Sequence, residues 1–226
     1  FVPMLLKSGM KRSQPQTILT IHNLAYQGQC GGDRFPITNL PAELFHREGP
    51  EFWGNMNFLK AGISFADGIT TVSPKYAREI LTQEFGEGLD GVLRKREDSL
   101  SGILNGVDYK EWNTENNPDL PASYSANDLS GKEKCKKALQ KELGLPVRDV
   151  PVFGSITRLA EQKGIDVMIQ TLDEILCEAD MQVVVLGSGE DHLIHSLNKL
   201  QEKYNNCVMF IEGYNSRLVH LIEAGA

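Results

Sequence analysis

The sequence contains no cluster of basic residues. Its 23 Lys and Arg residues are outnumbered by 30 Asp and Glu residues, and the formal net charge is −7 at pH 7. A negatively charged surface repels nucleic acids and anionic lipids unless a local basic patch attracts them. The composition therefore predicts that the chain binds neither nucleic acid nor a membrane surface.

Long apolar runs are also missing. No stretch approaches the roughly 20 residues that a membrane-spanning helix requires. The opening residues, Phe1-Val-Pro-Met-Leu-Leu, lack the basic start and the cleavage site of a secretory signal peptide. We therefore expect a cytoplasmic location, or the plastid if the protein comes from a plant.

Cysteine is scarce, and its spacing excludes the common cysteine-based sites. The four cysteines form no C-x-x-C pair and do not lie near a histidine at metal-ligand spacing: Cys30, Cys135, Cys177 and Cys207. A disulfide framework and a structural zinc site are thus both disfavoured. We expect a reducing compartment and no metal.

The second half of the chain alternates between apolar strands and amphipathic helices. Strands are predicted at residues 151–157, 182–186 and 207–211. The intervening helix places its apolar residues at intervals of three and four, which lie on one helical face: 165, 168, 169, 172, 175 and 176. This alternation is typical of a parallel sheet covered by helices on both faces.

The first half contains shorter elements. Strands are predicted at residues 17–22, 69–72 and 101–104, with helices over 57–66 and after Ser73-Pro74, and a loop from Asn23 to Pro41. Residues 108–129 are rich in Asn, Pro, Asp and Ser and show no periodicity. We therefore place a domain boundary after residue 107, which divides the chain into domains 1–107 and 108–226. Each domain is expected to be α/β, with a doubly wound parallel sheet.

Two cations follow the first strand of the second domain. Arg158 comes directly after this strand, and Lys163 is expected in the first turn of the next helix. Ligands of open α/β sheets bind beyond the carboxyl ends of the strands, and a helix N-terminus also attracts anions. The pair predicts a phosphate or diphosphate site, although a solvated surface Arg and Lys would show the same pattern.

The next two strand-to-helix turns add further candidates. Gly187 and Gly189 flank Ser188, where the missing side chains would allow a ligand to approach the backbone. The same glycines could simply form the turn, since neither a dinucleotide fingerprint nor a P-loop is present. Tyr214 follows the last predicted strand and could stack on a nucleobase or pack on the rim of the sheet.

The first domain contributes polar residues after two of its strands. His22 and Asn23 follow the first strand, in the string His22-Asn-Leu-Ala-Tyr-Gln-Gly28, whose polar side chains are types that bind sugars. Asn105 follows the third strand, in Leu104-Asn-Gly-Val-Asp108. A structural interpretation of Asn105-Gly106 is a type I′ turn.

These motifs together resemble one family. The string from His22 to Gly28 is similar to the HN-[LI]-A-Y-Q-G signature of bacterial glycogen synthases and plant starch synthases. Further matches follow in the order in which that family has them: Phe58-Leu-Lys-Ala-Gly62, Thr71-Val-Ser-Pro74, Tyr76-Ala-Arg-Glu-Ile80, Leu104-Asn-Gly-Val-Asp108 and Arg158-Leu159 with Gln162-Lys-Gly164. The resemblance extends from about Thr17 to Ala226.

The resemblance implies a fold and an activity. The family has the GT-B architecture, with two Rossmann-like domains that face a cleft. It transfers glucose from ADP-glucose to the non-reducing end of an α-1,4-glucan, glycogen or starch, with retention of configuration and without a metal or another cofactor. Residues 1–107 would belong to the acceptor-side domain, and residues 108–226 would comprise a linker and part of the nucleotide-sugar domain.

The resemblance also assigns roles to single residues. Arg158 and Lys163 would neutralise the leaving diphosphate, and His22 and Asn23 would line the glucosyl site. Asn105 would reach the cleft, and Tyr214 would lie against the adenine. This agrees with the chemistry, because cations held beside the leaving oxygen stabilise negative charge as the sugar–phosphate bond breaks.

Some family motifs are missing from the chain. The K-x-G-G-L motif, the D-W-H segment and the E-P-C-G-L segment are absent, and Asn215 stands where bacterial relatives often have His. We therefore expect a fragment from the middle of the enzyme, which would be inactive and unstable in isolation. Two alternatives remain: a retaining GT-B transferase that uses a UDP-sugar, and a non-catalytic glucan-binding remnant. The motifs do not specify the oligomeric state.

Overall fold

The structure is a computed structural model that describes residues 1–9 and 15–226. The chain divides into two compact units, Phe1–Gly106 and Val107–Ala226. The sequence predicted a boundary between residues 107 and 108, one residue after the boundary that the structure shows.

The first unit contains four helices and six strands in its described residues. In chain order these are α1 (Val2–Gly9), β1 (Ile18–Ile21), β2 (Gln29–Gly31), β3 (Glu51–Phe52), β4 (Asn55–Asn57), α2 (Phe58–Phe65), β5 (Gly68–Thr71), α3 (Pro74–Glu79), α4 (Asp90–Arg94) and β6 (Leu100–Gly102). Short 3-10 turns span Gly32–Thr38, Ala42–Leu44 and Glu97–Ser99.

A parallel sheet in the order β1-β5-β6 forms the centre of this unit. Ile18 pairs with Gly68, and Thr71 pairs with Gly102. Apolar side chains of this sheet pack against those of α2 and of the segment that includes α4. Together they form one core, whose buried residues include Ile21, Ile63, Ile69, Leu89 and Leu93. The three strands predicted from the sequence are therefore confirmed, each with slightly different ends.

Both ends of α2 are fixed by side chains. Asn57 caps the start, because its side-chain oxygen accepts a hydrogen bond from the Lys60 N–H at 2.8 Å. Arg96 caps the end, since its guanidinium donates to the carbonyls of Ile63, Ser64 and Ala66. Helices leave their last carbonyls without intrahelical partners, and Arg96 satisfies them here.

The region from Asn23 to Pro41 is not the uniform loop that the sequence predicted. It contains β2 and the 3-10 turn Gly32–Thr38. The strand β2 pairs antiparallel with β4, which also pairs with β3. Strands of two or three residues are too short to show an alternating pattern, so this small second sheet could not be predicted from periodicity.

The second unit follows the predicted alternation of strands and helices. Its elements are α5 (Ser130–Glu142), β7 (Val152–Ile156), α6 (Ile165–Ile175), β8 (Gln182–Gly187), α7 (Asp191–Lys203), β9 (Val208–Glu212) and α8 (Ser216–Gly225). The strands form a parallel sheet in the order β7-β8-β9. Ser130 is the first residue of α5, and its N–H donates to the Asp128 carboxylate at 3.0 Å.

Helices cover both faces of this sheet. Val183 and Val185 of β8 are buried on one face with residues of α6 and α7, such as Leu197. Val184 and Leu186 are buried on the other face with residues of α5 and α8. Successive strand residues point to opposite faces, so the unbroken apolar run of β8 serves two cores at once. This confirms the expected Rossmann-like α/β class.

Within residues 1–9 and 15–226, no helix combines the length and the hydrophobicity needed to cross a membrane.

Candidate functional site

Three loops meet at the carboxyl edge of the β7-β8-β9 sheet. The first follows β7 and carries Arg158, the second follows β8, and the third follows β9. Backbone hydrogen bonds join them: the Leu159 N–H donates to the Ser188 carbonyl at 2.9 Å, and the Gly213 N–H donates to the Gly187 carbonyl at 3.0 Å. Main-chain contacts therefore fix the position of each loop relative to the other two.

The position of Arg158 depends on its neighbour Leu159. The Leu159 side chain is fully buried among residues of α6 and α7, whereas Arg158 is exposed. The Leu159 carbonyl also accepts a hydrogen bond from the Glu190 N–H at 2.9 Å. The buried leucine and its two backbone bonds thus hold the guanidinium-bearing residue at the end of β7.

The two glycines of the second loop have a packing role. A Cβ at Gly187 would lie 2.0 Å from the Thr157 carbonyl oxygen, and a Cβ at Gly189 would lie 2.0 Å from the Leu159 carbonyl oxygen. Any side chain there would collide with the backbone on either side of Arg158. The neighbouring loop therefore fills the space beside these glycines, where the sequence had suggested that a ligand could approach the backbone.

Lys163 is not in the first turn of the following helix, as the sequence predicted. It ends a 3-10 turn, Glu161–Lys163, and Gly164 then adopts φ +68° as the N-cap of α6. A Cβ at Gly164 would meet no atom within 4 Å, so the backbone conformation rather than space favours glycine there. Lys163 therefore precedes the α-helix and is exposed, on the same loop as Arg158.

Tyr214 belongs to the third loop, and its side chain is 75% exposed. Gly213 before it has φ +113°, and Asn215 after it caps α8 by accepting a hydrogen bond from the Leu218 N–H at 3.0 Å. The sequence had singled out Asn215 as a departure from related sequences, and its side chain serves here as a helix cap. The ring of Tyr214 is thus held on a short, anchored loop.

The two cations at this edge, Arg158 and Lys163, form no salt bridge with residues 1–9 or 15–226. The guanidinium and the ammonium on this loop are therefore available to an anionic ligand, although Glu161 lies between them in the sequence. Guanidinium groups bind phosphates through two parallel hydrogen bonds, whereas an ammonium acts as a point charge.

An exposed group of potential metal ligands lies on two of the same loops and the start of α7. Within residues 1–9 and 15–226, Glu161, Glu190 and His192 have ligand atoms within 4.8 Å of one another. His192 Nδ1 lies 3.7 Å from a Glu190 oxygen, so the pair can form an ion pair without a metal. Three solvent-exposed groups of this kind are common without an ion and do not by themselves make a metal site.

In the first unit, His22 and Asn23 follow β1 at the carboxyl edge of the β1-β5-β6 sheet. His22 is exposed, and the Asn23 side-chain oxygen accepts a hydrogen bond from the Ala25 N–H at 3.0 Å. The Leu24 N–H donates to the Tyr76 hydroxyl at 3.0 Å, which connects this loop to α3. Leu24 itself is fully buried, so the loop is anchored directly after Asn23.

Gln27 of the same string has a structural role that the sequence did not reveal. Its side-chain oxygen accepts hydrogen bonds from the amides of Asn57 at 2.6 Å and Gln29 at 3.0 Å, and its amide donates to the Glu87 carbonyl. Only 7% of Gln27 is exposed. Gln27 therefore connects the loop to the cap of α2 and is already fully engaged.

Asn105 lies beyond β6, which is next to β5 in the same parallel sheet. It is exposed, as are Leu104 and Gly106. The type I′ turn considered for Asn105-Gly106 is wrong, because neither residue has the positive φ that both central positions of this turn require. The structure thus brings His22, Asn23 and Asn105 to one edge of one sheet.

Lys60 is a buried cation whose importance the sequence did not indicate. It is 4% exposed, and its ammonium donates to the carbonyls of Gly49 and Glu51 at 2.7 Å each and to that of Arg47. Burial lowers the pKa of Lys60, while the nearby Glu51 carboxylate opposes this shift. In contrast to Arg158 and Lys163, Lys60 is occupied entirely by the chain itself.

The first unit matches a known family model. Residues 1–95 match the family described as the starch synthase catalytic domain. The whole chain is similar to proteins of known class: it is 47% identical to a glycogen synthase of Thioalkalivibrio sulfidiphilus, covering 99% of this chain and 46% of that protein. A glycogen synthase of Anaeromyxobacter dehalogenans is 50% identical, covering 93% of this chain and 44% of that protein.

A solved structure shows the same fold. The catalytic domain of starch synthase IV from Arabidopsis thaliana, bound to ADP and acarbose, superposes with a TM-score of 0.85 at 33% identity. The match covers 93% of this chain and 44% of that one. The chain thus spans about half the length of the relatives that it matches.

Proposed function

Because the chain belongs to the family of bacterial glycogen synthases and plant starch synthases, we propose that it takes part in glucan synthesis. The reaction transfers glucose from ADP-glucose to the non-reducing end of an α-1,4-glucan and retains the anomeric configuration. One observation carries this proposal: Arg158 and Lys163 lie on one anchored loop at the end of β7, and no carboxylate in the described part of the chain pairs with either.

The chemistry of the reaction explains why two unpaired cations are needed. When the bond between the sugar carbon and the phosphate oxygen breaks, the sugar becomes positively charged and the diphosphate gains negative charge. Arg158 would hold the diphosphate through two hydrogen bonds, and Lys163 would stabilise the charge on the leaving oxygen. Fixed charges of this kind need no reorganisation during the reaction, so they lower its barrier.

The neighbouring loops supply the rest of the donor site. Tyr214 would stack on the adenine, for which its 75% exposed ring on a short loop is suited. Gly187 and Gly189 keep the loops around Arg158 closely packed, and we propose that the backbone of this turn lies beside the diphosphate. The ADP in the related starch synthase IV structure supports an adenine nucleotide as the donor.

The first unit would contact the sugar. His22 and Asn23 would bind hydroxyl groups of the transferred glucose, and Asn105 would contribute from the loop after β6, the opposite edge strand of the same sheet. Acarbose in the related structure supports a glucan as the acceptor, because acarbose is an oligosaccharide analogue. We propose that glycogen or starch is this acceptor.

We propose that no metal or other cofactor takes part in this reaction. The positive charge of Arg158 and Lys163 would replace a divalent cation at the diphosphate. Transfer at an unchanged rate in excess EDTA supports this proposal, and loss of the rate that Mg²⁺ restores contradicts it.

The proposal is tested with the full-length protein that contains this chain. Radiolabelled ADP-glucose and UDP-glucose are offered separately with glycogen, and incorporation into the polymer is measured. We expect ADP-glucose to be the better donor, with the new linkage in the α configuration by NMR. A clear preference for UDP-glucose would favour a related UDP-sugar transferase, and glycogen binding without transfer from either donor would favour a non-catalytic glucan-binding protein.

A further inference from the structure

The dipeptide His22-Asn23 lies just beyond the sheet of the first unit. The parallel ladder between β1 and β5 ends at the pair of Ile21 and Thr71, so the main chain of His22 and Asn23 is outside it. Groups that bind a reacting sugar must keep a fixed position, because a displacement of about 1 Å can slow a reaction by about 100-fold. Contacts other than the ladder must therefore hold this part of the loop.

One such contact comes from the central strand β5. The Thr71 hydroxyl donates to the Ile21 carbonyl at 2.8 Å, directly before His22. Only 1% of Thr71 is exposed. A buried hydroxyl needs a protein partner, and this one finds it on the main chain of the neighbouring strand. The start of the dipeptide is thus fixed by a side chain in addition to the sheet.

A second contact comes from α3, on the other side of the dipeptide. The Leu24 N–H donates to the Tyr76 hydroxyl at 3.0 Å, directly after Asn23. Tyr76 is in turn placed by the start of its helix, where its N–H donates to the Ser73 hydroxyl at 2.9 Å. Because Leu24 is fully buried, removal of the phenol oxygen would cost this N–H a partner that water does not readily replace.

The segment that contains both residues also reaches the loop of Asn105. The Thr71 carbonyl accepts a hydrogen bond from the Ile103 N–H at 2.7 Å, two residues before Asn105. The strand β6 packs closely against the same segment, because a Cβ at Gly102 would lie 2.2 Å from the Ser73 carbonyl oxygen. Residues 71–76 therefore contact the main chain before each of the polar positions at this edge of the sheet.

The placement of the two hydroxyls distinguishes them from ordinary structural contacts. A buried threonine or a half-buried tyrosine can bond to any main-chain group within reach, so either contact alone would indicate only a stable fold. Here the two bonds fall on the residues directly before and directly after His22-Asn23. The exposed His22 and the half-buried Asn23 lie between them. The pair of contacts thus restricts this dipeptide at both ends.

We propose that Thr71 and Tyr76 are positioning residues for glucose transfer, because their hydroxyl groups hold the main chain at both ends of His22-Asn23. The inference rests on the proposed function, since it takes His22 and Asn23 as the groups that bind the transferred glucose. Neither hydroxyl needs to contact the substrate. Each acts through the main chain, so its loss displaces His22 and Asn23 without removing their side chains.

The test uses variants of the full-length protein that lose only a hydroxyl. Thr71→Val and Tyr76→Phe keep almost the same side-chain volume. Each should lower the turnover number with ADP-glucose and glycogen by about 10- to 100-fold, as a small displacement of binding groups does. The KM for ADP-glucose should change by less than about threefold, because Arg158 and Tyr214 are expected to hold the nucleotide. An unchanged turnover number in either variant overturns the role of that residue.

A conservative variant separates positioning from stability. Thr71→Ser keeps the hydroxyl but loses a buried methyl group, so its thermal midpoint should fall. Its turnover number should nevertheless stay within about threefold of the parent, whereas that of Thr71→Val should not. Equal losses of turnover in Thr71→Ser and Thr71→Val contradict the proposal. If Thr71→Val does not fold, Tyr76→Phe, at a half-buried position, supplies the same comparison with the parent.

Two matched controls remove hydroxyls that have partners elsewhere. Thr70→Val, on the same strand, removes the hydroxyl that lies 2.9 Å from that of Thr20. Tyr204→Phe, in the second unit, removes the hydroxyl that donates to the Asp173 carbonyl at 3.0 Å. Both controls should keep the turnover number of the parent. A loss in Thr70→Val as large as that in Thr71→Val would show that any change in β5 impairs turnover, and the proposal would fail.

Amide hydrogen exchange distinguishes failure of this inference from failure of the proposed function, because it needs no substrate. Exchange of residues 22–26, measured by mass spectrometry, should be faster in Thr71→Val and Tyr76→Phe than in the parent. A parent protein without transferase activity contradicts the proposed function, while faster exchange in its variants still supports the two contacts. An active parent whose variants show unchanged exchange and unchanged turnover supports the proposed function and overturns this inference.

Discussion

The two units use their cations in opposite ways. In the first unit, Lys60 and Arg96 each donate to three backbone carbonyls. In the second unit, Arg158 and Lys163 lie exposed at the carboxyl edge of the sheet, and no carboxylate of the described chain pairs with them. A cation whose hydrogen bonds are satisfied by the chain stabilises the fold. An unpaired cation on a rigid loop remains available for a ligand.

The strongest test of this comparison removes an unpaired cation. In the full-length protein, Lys163→Ala should lower the turnover number by about 10²- to 10³-fold, as loss of one charge-stabilising group typically does. The free energy of unfolding should change by less than about 0.5 kcal/mol, because Lys163 is exposed and makes no salt bridge. Steady-state kinetics and urea unfolding measure the two effects.

Lys199→Ala is the matched control for Lys163, since it removes an exposed lysine of α7 far along the chain from the loop. This substitution should change neither the turnover number nor the free energy of unfolding. Equal losses of turnover and stability in Lys163→Ala would show that Lys163 is a structural lysine, and the comparison would fail.

The opposite result is expected for the buried cation. Lys60→Met should lower the free energy of unfolding by about 3 kcal/mol, because three carbonyls that the ammonium now satisfies would lose their donor in a buried place. Lys75→Met, at an exposed position of α3, should have little effect. Urea unfolding monitored by circular dichroism compares the variants, and equal stability of the two would refute the structural role of Lys60.

A glycine substitution tests whether loop packing positions the unpaired cations. Gly189→Ala should cost about 1–3 kcal/mol, because its Cβ would lie 2.0 Å from the Leu159 carbonyl oxygen. It should also raise the KM for ADP-glucose, since the backbone next to Arg158 must shift. Gly68→Ala, whose Cβ would make an ordinary 3.8 Å contact, should affect KM far less. An unchanged KM for ADP-glucose in Gly189→Ala would show that the packing of this loop does not affect donor binding.

The smallest effect concerns an anion of the first unit. Asp67 accepts hydrogen bonds from the Thr17 N–H and hydroxyl and pairs with Lys7 at 3.1 Å. The Thr17 N–H, followed by Lys7, lowers the pKa of Asp67 from 3.8 to about 2. A lowered folded-state pKa stabilises the protein above about pH 4, and this stabilisation is lost as the pH falls towards 2.

Asp67→Asn should therefore reduce stability slightly at pH 7 and flatten its decline between pH 4 and pH 2. Thermal midpoints across this pH range compare the variant with the parent. Parallel midpoint curves for the two proteins would mean that the interactions of Asp67 do not contribute to acid stability.

Local sequence patterns predicted the larger elements well. The apolar run of β8, the three-and-four spacing of α6, and the Ser73-Pro74 start of α3 each depend only on neighbouring residues, and all three are present. The small sheet of β2, β3 and β4 was missed, because two- and three-residue strands show no periodicity.

The sequence by itself determined the order of the larger strands and helices, the glycines at the turns and the chemical types of the candidate site residues. These follow from side-chain volume, polarity and backbone preference, which act over a few residues. Only the tertiary structure decided which polar groups are satisfied: that Gln27 and Lys60 are engaged by distant segments, and that Gly187 and Gly189 pack against the loop of Arg158. Hydrogen bonding and close packing join residues far apart in the chain, so the difference between a structural and an available charge appears only after folding.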